Sequence, residues 1–305
     1  LRSRSERMVN AVMEVDDRSL WISYMGMLLA VDGHSGRRED LRGKLGLQSD
    51  VISMATDARG RIWLGTVGTG IVMVDASGRI ARFRHDPENP GSVANDVVND
   101  ILVDRSHNLW FATWGGLSRF DETTGSFENH APPGTEPKYL ALAEDAAGNV
   151  WLGTHRYGLH RFDPHAKDFT AYAANGAPGS LSNGRVNAVH VDRRGVVWAG
   201  TQNGLDALDP RTGRIRHYRV ANGLPGNTVS CILEDGRNGI WLGTNNGIAR
   251  LDAMTGQARS YSRIDGLPGL DFTGWGTCHQ GRANTMYFAG FSGGTAFVPD
   301  EVRAR

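Results

Sequence analysis

Apolar and polar residues alternate over short runs along the whole chain, and glycine-rich turns interrupt these runs every few residues. The segment 186–220 shows the order most clearly: VNAVHVD, VWAGT, LDALD and RIRHYRV alternate, and RRGV, QNG and PRTG separate them. Alternation with period 2 predicts β-strands and excludes a helical solenoid, which would need a period near 3.6. The segment therefore predicts four antiparallel strands joined by tight turns.

This four-strand order recurs seven times. A tryptophan marks the second strand of six units, in SLWISYMG, RIWLGTVGTG, NLWFATWGG, NVWLGTHRYG, VVWAGTQNG and GIWLGTNNG, and the seventh copy, TMYFAGFSGG, has Tyr287 in its place. Four strands repeated roughly every 44 residues are typical of a β-propeller blade. We predict an all-β fold, a single seven-bladed β-propeller of four-stranded antiparallel blades. The blades are expected at 8–48, 49–91, 92–136, 137–180, 181–223, 224–266 and 267–305.

The recurring tryptophans and aspartates have structural interpretations. A large ring on each second strand is expected to fill the wedge between adjacent blades. An aspartate before a tight turn can accept the backbone N–H groups of that turn. These aspartates are Asp57, Asp104, Asp145, Asp192 and Asp235 in the first hairpins, and Asp32, Asp75, Asp121, Asp209 and Asp252 in the second. The twelve-residue ligand spacing of a calcium loop is absent, so we predict no metal site.

Composition and charge narrow the class of partner. The chain has 33 basic and 33 acidic residues, so it offers no broad electrostatic attraction for nucleic acid, and we predict no nucleic-acid partner. No apolar run approaches the roughly 18 residues of a membrane span. The start, LRSRSERMVNAV, lacks both an initiator methionine and the apolar core of a signal peptide, which indicates a processed chain or part of a longer one.

Two further expectations concern the cysteines and the closure of the ring. Cys231 and Cys278 are too few for a metal cluster; neighbouring strands could pair them, but two free thiols are the expectation. The seventh unit ends at TAFVPD with only EVRAR after it, so we expect it to lack a fourth strand of its own. We expect RSRSER at residues 2–7 to supply that strand, since one sheet edge would otherwise lie open.

The combined repeat resembles a known family. The pattern Asn-x-Val-x-x-Ile-x-x-Asp-x-x-Gly-x-x-Trp-x-Gly-Thr-x-x-Gly-Leu-x-x-x-Asp is similar to the two-component regulator propeller repeat, and its best copies lie at 95–121 and 227–252. The resemblance implies the extracytoplasmic sensor part of a bacterial hybrid histidine kinase or diguanylate cyclase. It also implies a periplasmic location and other domains of the same receptor as partners. The segment 286–302 is similar to the closing blade of such sensors, which leads into a β-sandwich and a membrane helix.

The chain departs from the family pattern in ways that bear on function. The first unit, WISYMGMLLAVD, lacks the Gly-Thr pair, and only one ring is present where family sensors often carry two in tandem. The β-sandwich, the membrane segment and the output domain are absent from this sequence. We therefore expect signalling itself to reside outside this chain, which leaves ligand recognition or a packing role beside another propeller.

A candidate binding site follows from the loops. The loops after each tryptophan motif and the loops between units are expected to converge on one face, with aromatic, amide and cationic side chains. The residues are Tyr24, Trp114, His155, Arg156, Tyr157, Gln202, Asn203, Asn245, Asn246, Trp275 and Phe291. Aromatic planes stack on the C–H face of a sugar, and amides pair with its hydroxyls. Arg156 would suit the carboxylate of a uronate. We predict a small polar ligand, such as an oligosaccharide, and no cofactor.

Three alternatives remain open at this stage. A polar loop rim with scattered aromatics is the plainest interpretation. A non-catalytic scaffold for protein docking, including a homodimer, is another. A lyase or hydrolase could use His155 and His190 as an acid–base pair, but no Gly-x-Ser-x-Gly motif is present, and we predict no catalytic residue. His160 and Arg161 are expected on an exposed strand face.

Overall fold

Seven antiparallel sheets follow one another along the chain and form a ring in the computed structural model, which describes residues 8–24, 26–275, 278–291 and 293–302. In each sheet the strands pair in chain order, and the first strand of each sheet packs beside the first strand of the next. The first strands therefore surround a central channel. The prediction of a seven-bladed β-propeller is confirmed.

The strands have the following bounds. Blade 1 contains β1 (Val9–Glu14), β2 (Ser19–Tyr24), β3 (Met27–Asp32) and β4 (Arg38–Asp40); blade 2 contains β5 (Val51–Thr56), β6 (Ile62–Thr66), β7 (Ile71–Val74) and β8 (Ile80–Phe83). Blade 3 contains β9 (Val98–Val103), β10 (Leu109–Thr113), β11 (Gly116–Asp121) and β12 (Ser126–His130); blade 4 contains β13 (Tyr139–Glu144), β14 (Val150–Thr154), β15 (Leu159–Asp163) and β16 (Asp168–Tyr172). Blade 5 contains β17 (Val186–Val191), β18 (Val197–Thr201), β19 (Gly204–Asp209) and β20 (Arg214–Tyr218); blade 6 contains β21 (Val229–Glu234), β22 (Gly239–Thr244), β23 (Gly247–Asp252) and β24 (Ala258–Tyr261). Blade 7 contains β25 (Cys278–Gln280), β26 (Met286–Gly290) and β27 (Gly293–Phe297).

Helical structure is confined to short connections. The helix α1 spans Arg42–Leu45, and single turns of 3₁₀ helix occur at Val220–Asn222, Arg263–Asp265, Arg282–Asn284 and Pro299–Glu301. In the described parts of the chain, no helix has the length and apolar character needed to cross a bilayer.

The repeated tryptophans form the core between blades, as predicted. Five of them are at most 2% exposed: Trp63, Trp110, Trp151, Trp198 and Trp241. Trp63 shows the arrangement, because its ring lies 5.6 Å from that of Phe111 in the next blade and joins one apolar cluster with it. Each indole therefore links two sheets that share no backbone ladder. Trp21 of blade 1 is only partly buried.

The aspartates of the first hairpins bind the core tryptophans as well as the turns, which the sequence does not predict. Asp192 accepts the backbone N–H groups of Arg194 and Val196 through Oδ1, as expected, and its Oδ2 accepts the indole N–H of Trp198 at 3.0 Å. The same indole–carboxylate bond, 2.8 to 3.0 Å long, joins Asp57 to Trp63, Asp104 to Trp110, Asp145 to Trp151 and Asp235 to Trp241. One carboxylate thus fixes both the turn and the core ring of its blade.

The seventh blade has three strands in the part of the chain that the structure describes, as its short sequence predicts. It closes the ring by polar contacts to blade 1. Glu14 accepts the backbone N–H of Arg282 at 3.0 Å and lies 3.5 Å from the Tyr287 hydroxyl, and Arg282 pairs with Asp17. The segment RSRSER at residues 2–7 lies outside the described residues, so its strand role stays a prediction.

The expectation of two free thiols is wrong. Cys231 and Cys278 form a disulfide, with their Cα atoms 5.8 Å apart. Cys231 lies on β21 and Cys278 on β25, the innermost strands of blades 6 and 7. Forty-seven positions separate the two residues along the chain, so no local pattern indicates the pairing. The ring places the two strands side by side, and the bond fastens the short blade 7 to its neighbour.

The expectation that His160 lies on an exposed strand face is also wrong. Its side chain is 4% exposed and lies 3.1 Å from the hydroxyl of Tyr139. Burial lowers the pKa of His160 below its usual value. The third strand of a propeller blade has a neighbouring blade on each side, so both of its faces can be buried, unlike those of a surface strand. Arg161, next to it, is partly buried and donates to Thr170 at 3.3 Å.

Candidate ligand-binding face

The loops named by the sequence do converge on one face of the ring, here called the loop face. In blades 2, 4, 5 and 6, backbone hydrogen bonds tie the loop after the second strand to the loop that enters the next blade. Gly68 donates to Asp96 at 3.0 Å, Gly158 to Gly184 at 2.8 Å, Gly204 to Asn227 and Gly247 to Leu270, both at 2.6 Å. A repeated backbone framework therefore carries the variable side chains.

Glycine is required at one of these positions for two reasons. Gly158 has a φ of +81°, which L-residues with a Cβ rarely adopt, and an added Cβ would lie 2.2 Å from the carbonyl oxygen of Tyr172. The close approach brings the loop 155–157 against the fourth strand of its own blade. This contact holds the three residues that precede Gly158 in a defined position.

A pocket of about 190 Å³ lies on the loop face beside blade 4. Its lining, here called the loop-face pocket, consists of Glu136, Lys138, His155, Arg156 and Tyr157. The backbone N–H of His155 donates to the carbonyl oxygen of Lys138 at 2.9 Å, and that of Tyr157 donates to Thr154 Oγ1 at 2.7 Å. The pocket is therefore built on two loops that the backbone joins.

Trp114 extends this site from the neighbouring blade 3. The ammonium of Lys138 lies 4.2 Å from the centre of its ring, a cation–π contact. Such a contact stabilises the pair by about 0.5–2 kcal/mol, depending on its exposure. The indole N–H of Trp114 is buried and has no hydrogen-bond partner among the described residues. The sequence places Trp114 and Lys138 in different loops, and the ring brings them together.

The electrostatics of the loop-face pocket favour an anion. Lys138 and Arg156 lie in its wall with one acid, Glu136, and His155 Nε2 lies 3.1 Å from the guanidinium of Arg185. Burial, followed by the charges of Arg185, Arg156 and Lys138, lowers the pKa of His155 below its usual value. A neutral His155 can accept a hydrogen bond from Arg185, whereas a charged one cannot. The histidine thus holds Arg185 beside the pocket.

Arg185 also lines a second cavity, of about 190 Å³, at the mouth of the central channel. This channel pocket contains polar side chains of three innermost strands or their ends, and Trp275 of the loop that enters blade 7. They are Asn99, Asp100, Arg185, Asn187 and Ser230. Arg185 donates to the side-chain oxygen of Asn187 at 2.9 Å. The contact between His155 and Arg185 therefore joins the two pockets through a shared wall.

Asp100 is the acid of the channel pocket. Its Oδ2 accepts the backbone N–H of Leu142 on the next innermost strand at 2.7 Å, and its Oδ1 accepts that of Ile101 at 2.9 Å. Protein atoms surround the carboxyl group, although the residue keeps partial contact with solvent in the channel. Burial raises the pKa of Asp100 to about 7, against the two hydrogen bonds, which lower it.

This shift predicts a pH dependence of stability. A carboxyl whose pKa rises on folding binds more protons in the folded state between its unfolded value of 3.8 and about 7. Its contribution to stability is therefore present at low pH and is lost as the pH rises through this window. We expect the Tm of Asp100→Asn, which cannot ionise, to increase relative to that of the parent as the pH rises from 4 to 7. If the Tm values of the variant and the parent change with pH in parallel over this range, the raised pKa of Asp100 is contradicted.

The structure brings part of the predicted set together. His155, Arg156 and Tyr157 line the loop-face pocket with Trp114 beside it, and Trp275 lies in the channel pocket. The other predicted residues lie outside both linings: Tyr24, Gln202, Asn203, Asn245, Asn246 and Phe291. Three of these amides hold loops in place. Asn203 donates to Ser182 at 3.4 Å, Asn245 accepts from Thr228 at 3.2 Å, and Asn246 donates to Pro225 at 2.9 Å.

Sequence reasoning missed Glu136, Lys138 and Arg185. Lys138 and Arg185 each immediately precede the first strand of a blade, Tyr139 and Val186 respectively. A search for charged residues at the entry to each innermost strand would have found them.

The two histidines considered for acid–base chemistry have separate partners. His190 Nε2 lies 3.3 Å from Glu234 of the adjacent innermost strand, whereas His155 contacts Arg185. Arg185 and His190 mark opposite ends of β17, about 16 Å apart at the usual rise of a strand. The structure therefore does not assemble the acid–base pair that the enzyme alternative requires.

Comparison with known proteins places the repeat in a family. Four segments, at residues 46–68, 92–115, 180–203 and 223–246, match the two-component regulator propeller. The resemblance seen in the sequence is confirmed: four of the seven units contain two-component regulator propeller repeats. Histidine kinase P4 of Formosa agariphila is 34% identical to this chain over 165 residues, which are 51% of this chain and 12% of that protein.

Solved structures show the same fold. One is the extracellular domain of a protein assigned to the hybrid two-component systems of B. thetaiotaomicron. The match covers 98% of this chain and 40% of that chain, with 22% identity and a TM-score of 0.83. A second such extracellular domain from that organism matches 92% of this chain with 44% of its own, at 18% identity and a TM-score of 0.64. An inactive virginiamycin B lyase from Staphylococcus aureus, with quinupristin, matches 97% of this chain with 96% of its own, at 14% identity and a TM-score of 0.75. The chain thus spans less than half of each sensor domain.

Proposed function

We propose that this chain is the ligand-sensing propeller of a bacterial signal-transduction receptor and binds an anionic, carbohydrate-like ligand in the loop-face pocket. One observation carries the proposal: Lys138, Arg156 and Tyr157 line one pocket, while His155 holds Arg185 beside it and Trp114 lies against Lys138. A carboxylate would pair with the guanidinium groups, and a sugar ring would stack on an aromatic plane.

The free groups of the pocket support this ligand class. Arg156 is exposed and forms no ion pair with any described residue, and the Tyr157 ring is 47% exposed. Exposed aromatic and arginine side chains are enriched where proteins bind ligands and partners. Both side chains are held at the tip of a loop whose backbone is fixed at Thr154 and Gly158. The position of their backbone is therefore set before a ligand arrives.

The proposal includes a periplasmic location and no catalytic step. The Cys231–Cys278 disulfide suits an oxidising compartment, and the sensor domains of similar fold are extracellular. The lyase of similar fold shares only 14% of its residues with this chain. We propose that the ligand is bound and released unchanged, and that the other domains of the receptor are the partners that read its presence.

The test is binding of acidic and neutral oligosaccharides to the parent and to single variants. We expect a uronate-containing oligosaccharide to raise the Tm of the parent, and the rise to grow with the logarithm of its concentration above Kd. Arg156→Ala should weaken this binding by about tenfold or more, as expected for the loss of a hydrogen bond between charged groups. Tyr157→Ala should weaken both acidic and neutral sugars by removing the stacking surface.

The matched control is Arg211→Ala, because Arg211 is an exposed arginine in the turn between β19 and β20, away from the loop face. Its affinity should equal that of the parent. Equal affinities for the parent and both pocket variants would exclude Arg156 and Tyr157 from the site. Conversion of the sugar by the parent would contradict the non-catalytic part of the proposal.

A docking scaffold is the second candidate, and one observation favours it. Six of the seven exposed large apolar residues in the described ranges lie in loops of the loop face: Val67, Tyr157, Val220, Ile264, Trp275 and Phe291. Exposed apolar side chains grouped on one face are typical of a protein interface. Self-association that depends on concentration, without stabilisation by any sugar, would favour this alternative over the sensor.

A further inference from the structure

Asp100 of the channel pocket has no acidic counterpart in the other four-stranded blades. It is the residue of β9 that pairs with Ala112 of the second strand. The equivalent residues of blades 1, 2, 4, 5 and 6 are small and uncharged: Ala11, Ser53, Ala141, Ala188 and Cys231. Burying a carboxyl group costs free energy, and these five blades form the same strand pairing without one. The pairing of the strands therefore does not require an acid at this position.

Hydrogen-bond acceptors without donors lie on this side of the channel pocket. The two oxygens of Asp100 each accept one backbone N–H, from Ile101 and Leu142, and a carboxylate oxygen can accept a second donor. The carboxyl group forms no ion pair within the described part of the chain. Asn99 is 2% exposed and donates to the carbonyl oxygen of Tyr139 at 2.7 Å, but its own side-chain oxygen has no donor among the described residues. Because a buried acceptor without a donor destabilises the fold, this side of the pocket suits a positively charged donor.

The blade 5 side of the pocket carries the opposite charge. Arg185 uses Nε for Asn187 and Nη1 for His155, and its Nη2 has no acceptor in the ranges that the structure describes. The guanidinium pairs with no described carboxylate, Asp100 of the same lining included. Charges taken out of water are usually paired in proteins. The channel pocket thus contains one negative and one positive group that do not pair with each other.

An apolar wall separates these two charges. Asp100 belongs to blade 3 and Arg185 precedes the first strand of blade 5, whereas Leu140 and Ala141 of β13 line the pocket from blade 4, between them. The pocket has a volume of about 190 Å³. A dry cavity of about 150 Å³ holds benzene, so by the same measure the channel pocket holds a molecule of roughly seven non-hydrogen atoms. The size and the charges indicate a short chain with opposite charges at its two ends.

We infer that the channel pocket binds a linear ω-amino acid, with its ammonium group at Asp100 and Asn99 and its carboxylate at Arg185. The methylene chain would lie along Leu140 and Ala141, out of water. Each charge of the ligand supplies the partner that a protein group lacks, and hydrogen bonds between charged groups are stronger than those between neutral ones. An α-amino acid carries both charges on one carbon atom, which suits neighbouring residues rather than residues of blades 3 and 5. This ligand is distinct from the sugar proposed for the loop-face pocket, although Arg185 borders both pockets.

The probe is γ-aminobutyrate, which has the expected size, and its binding to the full chain is measured by isothermal titration calorimetry. The measurement is made at pH 8, where Asp100 is mostly ionised because its pKa is about 7. We expect saturable binding. Butyrate lacks the ammonium group and butylamine lacks the carboxylate, so each should bind at least about tenfold more weakly, as expected for the loss of a hydrogen bond between charged groups. Glycine, with both charges on one carbon atom, should be weaker by a similar factor.

Two variants test the ends of the pocket. Asp100→Asn and Arg185→Gln should each weaken the binding of γ-aminobutyrate by at least about tenfold. The matched controls are Asp168→Asn and Arg211→Gln, at exposed positions in the outermost strand of blade 4 and in a turn of blade 5. Both controls should bind γ-aminobutyrate like the parent.

The comparison of ligands uses only the parent, so a folding defect of a variant cannot imitate its result. Absence of saturable binding would overturn the inference. So would an affinity for butyrate, butylamine or glycine equal to that for γ-aminobutyrate, because the pocket would then not recognise two separated charges. Undiminished binding by a folded Asp100→Asn variant would also overturn it, since the ammonium group would have another partner.

Discussion

Replacing both cysteines with alanine is expected to lower the Tm by about 6 °C. The disulfide closes a loop of 47 residues, for which the chain-entropy relation gives about 4 kcal/mol of stabilisation. For a chain of 305 residues, the average entropy of unfolding converts that loss into the stated shift. The effect should be concentrated on the last blade, because the bond joins β21 to the first strand of the three-stranded sheet.

The measurement is thermal unfolding of the parent and of Cys231→Ala/Cys278→Ala, each with and without a reductant. The reductant should lower the Tm of the parent to that of the double variant and should leave the variant unchanged. Hydrogen exchange should rise first in residues 278–297. A parent whose Tm does not respond to complete reduction would contradict the stabilising role of the bond.

The second large effect is expected for Asp235→Ala, which should destabilise the fold by about 3–5 kcal/mol. Asp235 is 3% exposed and accepts hydrogen bonds from the Gly239 backbone, the Trp241 indole and the Arg250 guanidinium. Alanine would leave the indole N–H and a backbone N–H buried without an acceptor. It would also leave the charge of Arg250 unpaired, and this combination explains why the cost exceeds that of one lost hydrogen bond.

The control is Asp75→Ala, which removes the aspartate of a similar turn in a second hairpin. Asp75 accepts the backbone N–H groups of Ser77 and Arg79 but lies at the surface, where water can replace it. Its loss should cost less than about 1 kcal/mol. Denaturant unfolding of the two variants compares these costs directly. Equal destabilisation would show that the tryptophan bond contributes nothing beyond the turn.

Lowering the pH should destabilise the fold of the parent, as Asp235→Ala does. Burial alone would raise the pKa of Asp235, but the hydrogen bonds from Arg250, Trp241 and the turn outweigh it and hold the pKa below the usual 3.8. A carboxylate with a depressed pKa stabilises the fold fully above its unfolded value, and this contribution is lost as the pH falls through its folded value. Asp57 and Asp192 are shifted in the same direction, so three blades should lose stability together below pH 3.8.

The sequence was sufficient for features that repeat and that arise from local chemistry. Period-2 alternation, the spacing of the tryptophans and the glycine-rich turns are properties of neighbouring residues, so they predicted the strands, the seven blades and the short last blade. The same reasoning found the loop 155–157, because its histidine, arginine and tyrosine stand out from the loops at equivalent positions. It also assigned the first-hairpin aspartates to turns, although it could not separate them from the aspartates of the second hairpins.

The remaining features depend on which strands the closed ring places side by side. Ring closure sets β21 beside β25 and so pairs Cys231 with Cys278, and it buries His160 between blades where a lone sheet would have exposed it. The same packing separates buried Asp235 from the only partly buried Asp75, although both precede similar turns. It also brings Lys138 to Trp114 and Arg185 to His155. The sequence by itself determined the blade, whose contacts are local; only the tertiary structure decided the contacts between blades, because residues more than 20 positions apart meet there.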